Sequence, residues 1–154
     1  MEEQHPGRGV RLGVDVGQVR VGVAMCDPDG ILATPLATLK RDRKVGTDRV
    51  PADIDELSRL VKEHDCVGVV VGLPVTLAGG EGLAAVQARA YAHDLSDKIA
   101  PVPVWLADER MSTVVATRRL AERGVRGRRQ RAVVDQAAAV EILQSWLDSQ
   151  RRRT

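Results

Sequence analysis

Residues Val10–Ala24 read VRLGVDVGQVRVGVA and carry the clearest structural signal in the chain. Two runs of β-branched and apolar residues, Val10–Val16 and Val19–Ala24, flank a glycine-containing turn, which predicts a β-hairpin. Asp15 lies inside the first run, where a central strand would remove its carboxylate from water, and a buried charge must be paired or bound to a metal. Gly17 leaves room for a phosphate or metal to approach the backbone. The simpler alternative is a hairpin with one acid exposed at its tip.

The length of 154 residues suits one domain, and no apolar run reaches the roughly 18 residues of a membrane span. The N-terminus is polar and has no apolar signal core. We therefore expect a disordered arm at 1–9, one domain at 10–150, a basic tail at 151–154, no membrane contact and a cytoplasmic location. Cys26 and Cys66 lie in apolar runs without metal-site spacing, so buried free thiols are expected, with an intermolecular disulfide left open.

The net charge of +2 is ordinary, but the arginines are concentrated in two segments. Arginine clusters bind phosphates through bidentate hydrogen bonds and counterion release. Aromatic residues make up only 2% of the chain, which argues against a base-stacking platform and favours recognition of nucleic acid by backbone and shape. The candidate phosphate-binding residues near the predicted site are Arg20, Arg110, Arg126, Arg128, Arg129 and Arg131. Their alternative interpretation is a solvated surface.

The rest of the chain alternates between strands and helices. Asp27-Pro28-Asp29-Gly30 is typical of a type I turn, so a third strand should return antiparallel to the second. Hydrophobic spacing then predicts the following elements: strand 31–39, a helix from Pro51, strand 66–71, helix 82–97, strand 103–107, helix 112–123, a basic loop 124–131 and helix 133–149. In helix 82–97, the residues expected to face inward are Leu83, Val86, Ala90 and Leu95. This order predicts an α/β fold with a mixed five-stranded sheet, antiparallel hairpin strands first and parallel strands after, and helices on both faces.

Ligands in such folds bind beyond the carboxyl ends of the parallel strands. Asp15 and Glu109 are predicted at that edge, and Asp135 opens the last helix, although an acid there also favours the helix dipole. Hard carboxylate oxygens suit Mg²⁺, with Mn²⁺ as a substitute, and one or two such ions can activate water for phosphodiester hydrolysis. The three acids are therefore the candidate catalytic residues and metal ligands.

Four segments of the chain resemble the YqgF/RuvX family of the RNase H-like superfamily. They are Asp15–Ala24, Val70–Pro74, Asp108–Thr113 and Val134–Ala139, in order and at fitting intervals. The resemblance implies an RNase H-like fold and a metal-dependent nuclease, described as a Holliday junction resolvase and as a nuclease that matures the 5′ end of pre-16S rRNA. It carries the family's acids onto Asp15, Glu109 and Asp135. Gln18 departs from the family, where Thr is common, and Thr76 stands where Asn often occurs.

Three functions are compatible with these observations. The first is a Mg²⁺-dependent endonuclease acting on structured RNA or branched DNA. The second is a nucleic-acid-binding module whose acids have lost their metal. The third is a phosphotransferase of the actin and sugar-kinase type, which needs two such domains where this chain has room for one. A resolvase would work as a C₂ homodimer, because a four-way junction has two-fold symmetry. The glycine-rich residues 76–82 are expected to be mobile and to order over substrate.

Overall fold

The computed structural model of this chain describes residues 7–43, 49–75, 80–109 and 128–153, with side chains in the last range described for 133–152. The described elements are β1 (Arg11–Val16), β2 (Arg20–Cys26), β3 (Ala33–Lys40), α1 (Ala52–Glu63), β4 (Gly68–Leu73), α2 (Leu83–Ile99), β5 (Val104–Asp108) and α3 (Arg128–Arg153). The predicted helix 112–123 and most of the glycine-rich stretch 76–82 lie outside the described residues.

The five strands form one mixed sheet in the order β3-β2-β1-β4-β5. β1 pairs antiparallel with β2 and parallel with β4, while β2–β3 is antiparallel and β4–β5 is parallel. The predicted fold class is therefore confirmed. Asp15 is the penultimate residue of the central strand β1 and is only 3% exposed. This burial excludes the alternative of an acid at an exposed hairpin tip.

One face of the sheet carries large aliphatic side chains. Strand alternation directs every second residue of β1, β2 and β4 to this face, where α1 and α2 cover it. The buried cluster includes Leu12, Val14, Val21, Val23, Val69, Val71, Ile54, Leu57, Tyr91 and Leu95. Each fully buried Val or Leu contributes roughly 1.5–3 kcal/mol of transfer free energy, so this face supplies much of the stability.

The opposite face carries small residues, and α3 packs directly on the strands. A Cβ on Gly22 would lie 2.1 Å from the backbone oxygen of Asp135, and a Cβ on Gly13 would lie 2.6 Å from the Cβ of Leu143. Only glycine permits so close an approach of a helix backbone to a strand. Farther along α3, Trp146 stacks on Trp105 of β5 with ring centroids 4.9 Å apart.

The start of the last helix was predicted wrongly. Residues 128–131 were placed in a basic loop, with the helix beginning at Val133, whereas α3 begins at Arg128 and continues to Arg153. Arg, Gln and Ala are strong helix formers, and no Gly or Pro follows Gly127 within the helix. The basic residues therefore extend the helix rather than interrupt it.

The inward face of α2 was also predicted wrongly in part. Leu83 and Val86 were expected to face the core together with Ala90, but they are 71% and 56% exposed, and Ala90 is exposed as well. Leu95 is buried as predicted. The buried positions of the helix are Ala85, Ala88, Tyr91, Ala92, Leu95 and Ile99. Alanine next to the sheet lets the helix approach closely, so the small residues and not the larger ones form the contact face.

Several local features of the chain can be compared with the sequence. Gly30 donates its backbone N–H to the Asp27 carbonyl at 3.0 Å and has φ of +69°, which closes the predicted turn. Both cysteines are free and buried, and burial raises the pKa of the Cys66 thiol to about 12. Residues 7–9 contact this end of the sheet, since Gly9 N–H donates to the Pro28 carbonyl at 2.7 Å. Among the described residues, no helix has the length and apolar character to cross a membrane.

Candidate functional site

Asp15 and Glu109 lie on the face of the sheet that α3 covers. Asp15 is two residues beyond Gly13, whose missing side chain is replaced by the α3 backbone, so both residues share that face. Glu109 follows the last residue of β5 and places its Oε2 2.9 Å from the position of a Cβ on Gly72. Its side chain therefore lies over the end of β4, and only 9% of Glu109 is exposed. The neighbouring Asp108 falls on the α1–α2 face by strand alternation.

Asp135 reaches the same edge from α3. Its backbone rests on Gly22, and Gly22 is the cross-strand partner of Asp15. Gly22 therefore lies beside Asp15 in the sheet and directly beneath the Asp135 backbone of α3. Gln136 secures this registration, because its Nε2 donates to Thr38 Oγ1 on β3 at 2.9 Å. The structure therefore brings three acids that are distant in sequence to one face and one edge of the sheet.

Arg20 contacts the third of these acids. Its Nε donates to Asp135 Oδ2 at 2.6 Å, and the two side chains are 24% and 15% exposed. A charge-assisted hydrogen bond in such a partly buried position is stronger than an exposed ion pair. Arg20 was predicted to bind phosphate, and that role stays a prediction. In this structure its partner is Asp135, a predicted metal ligand.

The chemistry of the donor set fits a hard divalent cation, because all three groups are carboxylates. Asp15 and Glu109 are almost fully buried and take part in polar or electrostatic interactions. Within the described ranges, no group of three or more His, Cys, Asp and Glu side chains is close enough to hold a metal ion. In this arrangement Asp135 Oδ2 accepts a hydrogen bond from Arg20, so an ion held by all three acids would have to compete with Arg20 for the Asp135 carboxylate.

The remaining predicted arginines are located less fully. Arg128, Arg129 and Arg131 belong to the first two turns of α3, on the same helix as Asp135. Arg110 and Arg126 lie outside the described residues. A phosphate-binding role for all five stays a prediction.

Two glycines that allow this close packing were not predicted to have that role. Gly22 admits the backbone of Asp135, and Gly72 leaves space for the Glu109 carboxylate. A glycine inside a strand pattern signals close approach of another group, so the information was present in the sequence. What approaches each glycine became visible only in the folded chain.

Comparisons with known proteins identify the family of this chain. A family model described as "RuvX: Holliday junction resolvase" matches residues 9–149. Proteins named "Putative pre-16S rRNA nuclease" include one from Frankia casuarinae, 58% identical over 92% of this chain and 68% of its own length. Another, from Mycolicibacterium paratuberculosis, is 55% identical over 99% of this chain and 87% of its own length.

A solved structure shares the fold at low sequence identity. Thermus thermophilus RuvC, in complex with a Holliday junction substrate, aligns with a TM-score of 0.53 and 15% identity over 92% of this chain and 96% of that chain. The sheet order, the face covered by α3 and the match over residues 9–149 lead to one conclusion: the chain belongs to the RuvX (YqgF) family of nucleases and has the RNase H-like fold.

Proposed function

We propose that this chain is a metal-dependent endonuclease whose Asp15, Glu109 and Asp135 hold one or two Mg²⁺ ions, with Mn²⁺ as a substitute. The supporting observation is that Asp15 on β1, Glu109 directly after β5 and Asp135 on α3 lie on one face of the sheet, near the carboxyl ends of β1 and β4. Two of them are 3% and 9% exposed, and buried acids favour a bound cation over solvent as the compensating charge. Ions bound there would lower the pKa of a water molecule and stabilise the leaving oxygen of a phosphodiester.

The protein residues then have distinct tasks. Asp15 and Glu109 supply preorganised oxygen ligands, since the sheet and α3 fix both side chains in place. Asp135 would complete the ligand set if its carboxylate were released from the hydrogen bond to Arg20. The released Arg20 guanidinium lies next to the acids and can bind a phosphate oxygen of the scissile strand. Arg110, Arg126, Arg128, Arg129 and Arg131 are proposed as further phosphate contacts because of their charge and their proximity in sequence to the acids.

The substrate that we propose is a structured precursor of ribosomal RNA. The supporting observation is the name shared by relatives that are 53–58% identical over more than nine tenths of this chain. A four-way DNA junction is the second candidate, supported by the description of the matching family model. Either substrate is recognised through backbone and shape, which agrees with the scarcity of aromatic residues. A homodimer would accompany the second candidate, and a cytoplasmic location suits both.

The substitution Asp15→Asn tests the assignment of the acids. It removes one negative ligand oxygen with almost no change in volume, so cleavage should fall below detection while nucleic-acid binding is retained or strengthened. Cleavage of a labelled rRNA precursor and of a labelled junction is measured side by side, with binding measured in Ca²⁺. Asp97→Asn, at an α2 side chain that is 74% exposed, is the matched control and should cleave normally. An Asp15→Asn protein that cuts at the wild-type rate refutes the proposal.

A further inference from the structure

The β1–β2 turn, residues 17–19, directly follows the strand that carries Asp15. Two arginines contact it: the exposed Arg43 donates its Nη1 to the Gln18 carbonyl at 3.1 Å, and the more buried Arg41 contacts both ends of the turn. Arg41 donates its backbone N–H to the Val19 carbonyl at 2.8 Å and its Nη1 to the Gly17 carbonyl at 2.7 Å. Gly17 in turn donates its N–H to the Arg20 carbonyl at 2.9 Å. The turn is therefore closed from within and held from outside at both of its ends.

Arg41 is itself held by a buried network. Its Nε lies 3.9 Å from Asp53 Oδ2, and its Cζ lies 5.2 Å from the ring centroid of Tyr91. The Tyr91 hydroxyl donates to Asp53 Oδ2 at 2.6 Å, and the Asp42 N–H donates to Asp53 Oδ1 at 3.0 Å. Asp53 is 2% exposed, and the Arg41 side chain is 17% exposed. A buried carboxylate with these partners holds the guanidinium in one orientation.

The network joins elements that are far apart in sequence. Asp53 belongs to α1 and Tyr91 to α2, so the guanidinium is fixed on the face of the sheet opposite to α3. Burial and the hydrogen bond to Asp53 both raise the pKa of Tyr91, which keeps its hydroxyl a donor at any working pH. The Asp15 side chain lies on the other face of the sheet, which α3 covers. Arg41 therefore reaches the acid through the backbone of the turn and not by direct contact.

We propose that Arg41 is a positioning residue for Asp15: it holds the β1–β2 turn so that the carboxylate keeps the place in which it binds metal. This inference rests on the proposed function, because the benefit of fixing the turn lies in the alignment of Asp15 with Glu109 and Asp135. A phosphate-binding role fits Arg41 less well, since its charge already faces Asp53. The turn is short and contains Gly17, so without Arg41 its backbone gains freedom.

The kinetic test compares Arg41→Ala and Arg41→Lys with the wild type in saturating Mg²⁺. Arg41 lines a cavity of about 170 Å³, so truncation enlarges an existing space. Misplacement of a reacting group by about 1 Å costs on the order of a hundredfold in rate, and we expect kcat of Arg41→Ala to fall about tenfold to a hundredfold with little change in KM. Lys can still donate to the Gly17 carbonyl, so Arg41→Lys should recover part of kcat. Arg59→Ala, which removes an exposed arginine paired with Glu56 and Glu63 on α1, is the matched control and should retain wild-type kcat.

Hydrogen exchange of the free protein tests the same idea without cleavage. In Arg41→Ala, the amides of Gly17 and residue 41 should exchange at least tenfold faster, while those of Val23 and Val70 in the central strands stay protected. Tyr91→Phe provides a milder variant that keeps the ring under the guanidinium. It should lower kcat in the same direction by a smaller factor, and its effect should be absent when Arg41 is already Ala, because both act through one network.

Three results would overturn the inference: an unchanged kcat in Arg41→Ala, a rise in KM with kcat intact, or wild-type exchange at the turn. The second would make Arg41 a substrate contact. These outcomes differ from failure of the proposed function, which is an active Asp15→Asn protein. In that event the exchange measurement still decides whether Arg41 holds the turn.

Discussion

The two faces of the sheet differ in the size of the side chains that the strands place on them. The face under α1 and α2 is filled by Leu, Val and Ile, with a buried cluster that includes Val14 and Leu57. The face under α3 has glycine at Gly13, Gly22 and Gly72, and α3 lies almost on the strands. The face under α3 also buries a hydrophobic cluster that includes Val70, Leu143 and Trp146, so both faces supply stability. The proposed chemistry, in contrast, is confined to the second face, where the glycines let α3 and its Asp135 lie close to the strands.

Removing volume from the first face should have the largest effect on stability. Leu57→Ala, at a side chain with no exposure, should lower the free energy of unfolding by about 2–5 kcal/mol. The folded fraction should cleave at the wild-type rate per molecule, because the cavity lies across the sheet from the acids. Urea unfolding followed by circular dichroism, with cleavage assayed well below the transition, measures both. A loss of kcat in fully folded Leu57→Ala would contradict the separation of the two faces.

Adding volume to the second face should cost less stability and more activity. In Gly22→Ala the new methyl group would lie 2.1 Å from the Asp135 carbonyl oxygen, a backbone atom, so α3 must move. Overpacking of this kind costs about 1–3 kcal/mol, and the displacement of Asp135 should abolish most cleavage. Gly82→Ala is the control, since nothing lies within 4 Å of a Cβ there and its φ of −91° is allowed for alanine. Wild-type kcat in Gly22→Ala would contradict the assignment of the chemistry to the face under α3.

Gly72→Ala should change stability least, but it should displace a residue of the candidate site. In Gly72→Ala the methyl group would meet Ile142 Cδ1 at 2.6 Å and Glu109 Oε2 at 2.9 Å, both at the ends of flexible side chains. The side chains can give way, so unfolding should become easier by only about 1 kcal/mol. The Glu109 carboxylate must shift, however, and kcat should fall about tenfold or more. Unchanged cleavage with saturating Mg²⁺ would show that the position of Glu109 is not critical.

The first face was largely predictable from the sequence, and the second only in part. Alternating apolar residues around Val14 and Val23 fix which side of each strand is buried, and the order of the elements fixes the mixed sheet. The phase of α2 was mispredicted because Leu83 and Val86 are more hydrophobic than Ala85 and Ala88, which pack against Leu73. Hydrophobicity ranks residues by transfer free energy, whereas close packing selects them by shape.

The sequence predicts the residues of the candidate site but not their contacts. Asp15, Glu109 and Asp135 stand out by their positions at strand and helix ends, and their roles as catalytic residues and metal ligands stay predictions. The pairing of Arg20 with Asp135, and the network of Arg41, Asp53 and Tyr91, join residues separated by up to 115 positions. Partners at such distances depend on the angle and register of helix packing, which local sequence patterns do not encode.

Anomalous diffraction from crystals soaked in Mn²⁺ tests most directly whether the three acids share a metal. We expect a Mn²⁺ peak in contact with Asp15, Glu109 and Asp135, with Arg20 withdrawn from Asp135. The same soak of Asp15→Asn crystals should show the peak lost or strongly reduced. If wild-type protein that cleaves in the same Mn²⁺ buffer shows no peak at these acids, or shows one elsewhere, the convergence of the acids has another purpose and the proposed metal site is wrong.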